Sequence, residues 1–276
     1  MTETKLWLRV TRNDAPLVLS MPHAGVWLPP ELEPRLVSTW LAQRDADWWV
    51  DELYDFGAAL GATVVQTEVS RTVIDVNRDP SGVSLYPGQA TTELCPTTTF
   101  DGEPLYRHDA EPGADEIAAR RARYFDPYHA ALAAEIGRLR KQHARVVVYD
   151  CHSIRSRIPR LFEGDLPNFN LGTHSGRSCA PELAAAIDAE CAASSFSHVI
   201  NGRFKGGYIT RHYGQPVEGV HAVQMELACR GYLPEHPGPV EPNTWPPAYG
   251  AAYAEAMRTT LTRILQACLA FARRAV

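Results

Sequence analysis

Apolar positions in this chain fall into two kinds of run. Val146-Val147-Val148-Tyr149 is a continuous β-branched and aromatic block after the basic segment Arg138 to Arg145, and it predicts a strand buried on both faces, as in a parallel sheet. It ends abruptly in Asp150-Cys151-His152-Ser153. Leu17-Val18-Leu19-Ser20 predicts a second strand, which runs into Met21-Pro22-His23-Ala24-Gly25, where Pro22 and Gly25 mark a tight loop. Thr63-Val64-Val65, Val69 to Val76, Ser197 to Asn201 and Val220 to Leu227 read as further β-rich segments. Helical spacing runs through Trp48 to Leu60, Ala114 to His143, Pro181 to Ala193 and Tyr249 to Ala272, with Pro127 set to kink or divide the second of these. The stretches 79–112 and 160–178 lack periodicity, and Phe204 to Gly214 reads as a polar, glycine-rich turn. The long helix returns the chain to the Val146 strand as a crossover would. Strands alternating with helices predict a single α/β domain over residues 1–276, with a mixed, mostly parallel sheet flanked by helices.

Composition narrows the partners. At 276 residues the chain can bury a large core, and 45% hydrophobic with 21% charged residues is ordinary for a soluble protein. No apolar run approaches the roughly 20 residues that span a bilayer, and the first residues lack the pattern of a secretory signal. The expectation is a cytoplasmic protein. Six cysteines are scattered without CxxC spacing, which argues against a disulfide framework or a thiolate zinc site. A net charge of −5 argues against nucleic acid or an anionic membrane as partner. Oligomeric state is left open.

The chemistry gathers where strands end, the usual place for sites in open α/β sheets. His23 and His152 are typical ligands of a catalytic zinc, which takes three protein ligands and leaves a position for water. Asp47 is the preferred third ligand, with Asp45 and Asp51 as neighbours. The alternatives are ordinary ones: histidines hydrogen-bonded in loops and Asp47 as a helix cap. Arg78 with Asn77 suits a substrate carboxylate, and Arg71 suits a polarised carbonyl, with Asp75 placed to orient an arginine. Glu226 lies in the otherwise apolar Gln224-Met225-Glu226-Leu227, where a lone carboxylate is costly unless paired or functional, so it is the candidate general base. Cys151 directly precedes His152 but points to the opposite face of a strand, away from any nucleophilic role.

Taken together, Ser20-x-Pro22-His23-x-Gly25, Asp47-Trp48, Ser70-Arg71-x-x-x-Asp75-x-Asn77-Arg78, Asp150-x-His152-Ser153 and the late Glu226 resemble the N-formylglutamate amidohydrolases. Tyr128-His129, Gly172-Thr173 and Lys205-Gly206-Gly207-Tyr208-Ile209-Thr210 extend the resemblance along nearly the whole chain. A more distant likeness joins it to zinc carboxypeptidases and aspartoacylases, which place an acidic ligand three residues after the first histidine, where this chain has Val26. The resemblance implies a zinc-carboxypeptidase-like fold and one Zn²⁺, or another divalent transition metal, on His23, Asp47 and His152. It implies hydrolysis of N-formyl-L-glutamate to formate and L-glutamate in histidine degradation, with Glu226 and Arg71 catalytic. The substrate carries two carboxylates. One falls to Arg78 with Asn77, and the other to the 205–211 turn, with Lys205, Tyr208, Thr210 and Arg211 as donors and His174 beside them. An amidohydrolase for another N-acyl amino acid or a small peptide is the nearest alternative, and a non-catalytic metal- or amino-acid-binding protein is a remoter one.

Overall fold

The computed structural model of the chain describes residues 7–83, 88 and 91–274. Seven strands form one sheet: β1 (Leu8–Thr11), β2 (Leu17–Met21), β3 (Thr63–Thr67), β4 (Val146–Ile154), β5 (Phe169–Gly172), β6 (His198–Ile200) and β7 (Val220–Ala228). Their spatial order is β1-β3-β2-β4-β7-β5-β6. The β3, β2, β4 and β7 run is parallel, whereas β1 pairs antiparallel with β3 and β5 antiparallel with β7. This is the mixed, mostly parallel α/β architecture expected from the hydrophobic pattern.

The helices are α1 (Thr39–Gln43), α2 (Val50–Leu53), α3 (Ala114–Arg120), α4 (Asp126–Arg140), α5 (Pro181–Ala192), α6 (Tyr208–Tyr213) and α7 (Ala251–Arg273). Side chains alternate across each central strand, so one face sends Leu17, Leu19, Val147, Tyr149, Cys151, Val223, Met225 and Leu227 into a core shared with α5 and α7. The other face sends Val18, Val146, Val148 and Ala222 against Tyr128, Leu132, Ile136 and Leu139 of α4. On this second face the strands become polar towards their C-terminal ends. Ser20 pairs across the ladder with Asp150, Asp150 with Gln224, and His152 with Glu226.

Several elements differ from expectation. β4 runs on through Asp150-Cys151-His152-Ser153, so His152 lies inside the strand and not after it. Residues 69–76 form turns, with one bridge from Trp27 to Val69. There Ser70 Oγ accepts the Thr72 N–H and Asp75 Oδ1 the Asn77 N–H, side-chain bonds that compete with a strand ladder. The helix predicted over 48–60 shrinks to α2 and a 3₁₀ turn, Asp55–Gly57. Trp49 takes a left-handed φ of 62° at its start, and a Cβ on Gly57 would lie 2.4 Å from Leu19. The helical run to His143 is divided by a π-helical turn, Arg121–Phe125, just ahead of Pro127, whose ring cannot sit against a normal preceding turn. The polar turn at 204–214 contains α6, and the aperiodic 160–178 stretch contains β5.

Of the 79–112 excursion, residues 84–87 and 89–90 lie outside the described part. Its second half returns over the C-terminal ends of the strands. Asp45 Oδ2 accepts the Phe100 N–H at 2.6 Å, while Asp101 Oδ2 accepts from Arg44 (2.8 Å) and Arg155 (2.5 Å), both arginines being buried.

Candidate active site

Three loops and two strands converge at the polar end of the second face. Gly25 packs so closely on the backbone of residues 67–68 that any Cβ would lie 2.2 Å from the Glu68 carbonyl carbon, and this fixes the loop that carries His23. The backbone N–H of Asp47 donates to the His23 carbonyl (3.0 Å), tying the second loop to the first. His152 arrives on β4.

The donor atoms of His23, Asp47 and His152 all lie within 4.8 Å of one another, and all three residues are buried. Asp47 Oδ2 is 3.0 Å from His152 Nδ1 and 3.7 Å from His23 Nδ1. The other nitrogen of each ring is held from outside: His23 Nε2 donates to Asp75 Oδ1 (2.7 Å) and His152 Nε2 to Asp150 Oδ2 (2.9 Å). Because a carboxylate only accepts, both Nε2 atoms carry hydrogen, and both Nδ1 atoms turn inward. His23 Nδ1 and Asp47 Oδ1 are buried without a hydrogen-bond partner. Orphaned ligand atoms close together, on a two-histidine, one-carboxylate set with aspartates behind the imidazoles, fit a divalent metal ion.

The electrostatics match a cation at this point. Burial works to raise the Asp47 carboxyl, but the hydrogen-bonded His152 and the nearby His23 ring outweigh it and hold the group below the usual carboxylate range. Burial works to lower His152, but Asp150 and Asp47 hold its imidazolium form to well above the ordinary value. A proton here stands in for the positive charge that a metal would bring.

A cavity of about 60 Å³ opens on this cluster. Its polar lining includes His23, His152, Arg71, Asn77, Arg78, Gln224 and Glu226, and Phe100, Ile154, Leu161 and Phe204 make it apolar elsewhere. Asp75 is the hub of the cationic side: besides His23 it accepts from Arg71 Nη2 (2.8 Å) and lies 3.5 Å from Arg78 Nε. Arg71 also approaches Asp47 Oδ1 (3.6 Å) and packs on the Phe100 ring (4.7 Å). Arg78 donates to the Thr92 carbonyl (3.2 Å) and hydroxyl (3.1 Å). Burial pushes the Glu226 carboxyl up to about 7, with His152 opposing and Asp47 assisting. Its Oε2 accepts from Gln224 Nε2 (3.0 Å), and Gln224 Oε1 accepts the Gly207 N–H (2.7 Å).

The predicted residues thus divide. His23, Arg71, Asn77, Arg78, His152 and Glu226 line one cavity, and Asp47 lies beneath it. Asn77 is turned inward: Nδ2 donates to Asp150 Oδ2 (3.1 Å) beside His152 Nε2, and Oδ1 accepts the Ile209 N–H (2.8 Å). Lys205, Tyr208, Thr210, Arg211 and His174 are not among the lining residues. Tyr208 stacks with His212 and meets Phe125 and His129, Thr210 is fully buried, Arg211 Nε donates to the Gly206 carbonyl, and the His174 N–H donates to the Lys205 carbonyl. The 205–211 turn reaches the site through backbone N–H groups instead. Sequence reasoning missed Thr91, Thr92, Phe100, Leu161, Arg203, Phe204 and Gln224. Only Gln224, two residues before Glu226 on one strand face, carried a sequence signal. Cys151 points into the opposite core, and burial pushes its thiol well above the ordinary range.

The chain is similar to known proteins over most of its length. Residues 15–233 match the family model described as N-formylglutamate amidohydrolase. A curated N-formylglutamate deformylase of Pseudomonas aeruginosa is 46% identical over 267 residues, covering 96% of this chain and 97% of its own. A protein of the same name from Pseudomonas putida is 46% identical over 257 residues, 93% of each chain. A crystal structure of an N-formylglutamate amidohydrolase from Ralstonia eutropha superposes with a TM-score of 0.79 over 98% of this chain and 99% of that one, at 23% identity. A gene product of Agrobacterium tumefaciens shares the fold at a TM-score of 0.70 and 17% identity over 97% and 96%.

Proposed function

The chain belongs to the N-formylglutamate amidohydrolase family, and from that premise we propose that the cavity above His23, Asp47 and His152 hydrolyses N-formyl-L-glutamate to formate and L-glutamate. One observation carries the reading most directly: a buried His-Asp-His ligand trio, an arginine and a carboxylate near neutrality meet at one small cavity. Amide hydrolysis needs an activated water, charge stabilisation on the carbonyl oxygen and a proton for the departing amine.

His23, Asp47 and His152 would hold the metal, and Zn²⁺ suits that donor set. When bound, it supplies Lewis acidity, lowering the pKa of a water and countering negative charge on oxygen. Glu226 takes the proton of the attacking water and returns it to the nitrogen as the C–N bond breaks, a two-way task suited to a group near 7. Gln224 keeps the Glu226 carboxylate in position. Arg71, gripped by Asp75, faces the developing oxyanion. Arg78 binds a substrate carboxylate, with Asn77 bracing the wall behind it.

Six free, buried cysteines suit a reducing compartment, so we place the reaction in the cytoplasm, as a step of histidine degradation. Among the described residues, no helix is long and apolar enough to cross a membrane. The test is formate release from N-formyl-L-glutamate beside N-acetyl-L-glutamate. Preferential turnover of the formyl compound supports the reading, and preference for the acetyl compound replaces the substrate while keeping the site.

A further inference from the structure

Resting on the reading of the substrate as N-formyl-L-glutamate, we propose that Arg203 is the specificity residue for its side-chain carboxylate. A dianion needs two cationic anchors separated by about the span of two methylenes. The cavity lining contains three arginines. Arg71 is drawn into the Asp75 and Asp47 carboxylates beside the ligand cluster, where the carbonyl reacts. Arg78 Nε lies 3.5 Å from Asp75, the carboxylate that also holds His23, and so stands next to the reacting centre. That is the place of the α-carboxylate, one carbon from the formamido nitrogen.

Arg203 stands elsewhere. Its Nε donates to the Leu161 carbonyl at 2.8 Å, and its guanidinium packs against the Phe204 ring at 5.3 Å. Leu161 and Phe204 themselves line the cavity and pack with Phe100, Ile154, Ile158 and Leu166 in an apolar cluster. The guanidinium therefore sits beside the apolar part of the lining. An apolar strip ending in an arginine matches two methylenes ending in a carboxylate. The Nε–H bond and the ring contact limit the orientation of the guanidinium, whose planar fork suits a carboxylate.

This moves the second anchor from the 205–211 turn to a residue just before it. A site built to pair a charged group rejects the neutral isostere strongly, so the consequence is a preference for glutamate over glutamine in the substrate.

The experiment compares kcat/KM for N-formyl-L-glutamate, N-formyl-L-glutamine and the α-amide of N-formyl-L-glutamate in wild type, Arg203→Met, Arg203→Lys and Arg78→Met, with melting temperatures as a folding control. Wild-type turnover of N-formyl-L-glutamate tests the parent reading separately. Arg203→Met should lower kcat/KM for N-formyl-L-glutamate about 100-fold, mainly through KM, and leave the glutamine analogue nearly unchanged, so that discrimination collapses. Arg203→Lys should restore part of it. Arg78→Met should instead depress the glutamate and glutamine substrates together and spare the α-amide. Equal losses on all three substrates in Arg203→Met, or an undiminished preference for glutamate over glutamine in that variant, would overturn the proposal.

Discussion

On β4 and β7 the two faces of the sheet differ by one residue step. Cys151 and Met225 are neighbours across the ladder and enter the core beneath α5 and α7; His152 and Glu226, the next pair along, enter the cavity. All four are buried, with exposures of 1%, 0%, 2% and 7%. Burial alone therefore says nothing about role. On the core face it removes apolar surface from water and stabilises the fold. On the site face it strips solvent from charges, which drives Glu226 upward and leaves ligand atoms without partners, a cost borne by the rest of the fold.

Variants on the two faces should separate the two kinds of burial. The largest effect belongs to His152→Ala, which should lower kcat by more than about 10³-fold, beyond the loss of a single oxyanion donor, and remove tight zinc binding as read by metal analysis after gel filtration. Glu226→Gln should cost about 10²–10⁴-fold in kcat. In the wild type the Glu226 carboxylate must be ionised to accept a proton, so kcat/KM should fall as pH drops below about 7, and the variant should lose that limb. The stability effect has the opposite sign. A carboxyl raised in the fold contributes stability below its unfolded value of 4.5, and that contribution is lost as pH rises through about 7. Removing the charge should then raise the melting temperature at about pH 8.

Asp150→Asn sharpens the comparison further, since Asp150 touches no substrate and acts through His152 Nε2. A loss of about 10–100-fold in metal affinity is expected, measured by competition with a chromophoric chelator. On the core face, Met225→Ala should cost about 2–5 kcal/mol in denaturant unfolding yet leave kcat per folded molecule unchanged. Cys151→Ala should do least, with activity retained, and loss of turnover there would revive a thiol nucleophile.

What was legible beforehand follows the same division. The core face is written as unbroken apolar runs, so Val146 to Tyr149, Leu17 to Ser20 and Val220 to Leu227 revealed the central strands. His23, Asp150, His152 and Glu226 stood out because each interrupts or terminates such a run. Arg203, Phe100 and Thr92 carry no such mark. They come from irregular segments that reach the cavity through distant contacts, such as the Leu161 carbonyl, Asp45 and Arg78, and no local spacing encodes those. The strand at Phe169–Gly172 was hidden for a related reason: it is short, rich in Asn and Gly, and held by pairing with β7 and β6 and not by its own propensity. Residues 69–76 misled in the reverse sense, because β-branched residues that favour a strand are overruled by side chains bonded to the backbone and to the site.

The central claim is that the buried His23–Asp47–His152 trio is a metal centre serving amide hydrolysis of a formylated glutamate. The most direct measurement follows formate release from N-formyl-L-glutamate by protein stripped with a strong chelator, then by the same sample after stoichiometric Zn²⁺ is returned. Loss of turnover on stripping and recovery near one equivalent is the predicted result; full activity in protein shown by metal analysis to be metal-free would contradict it.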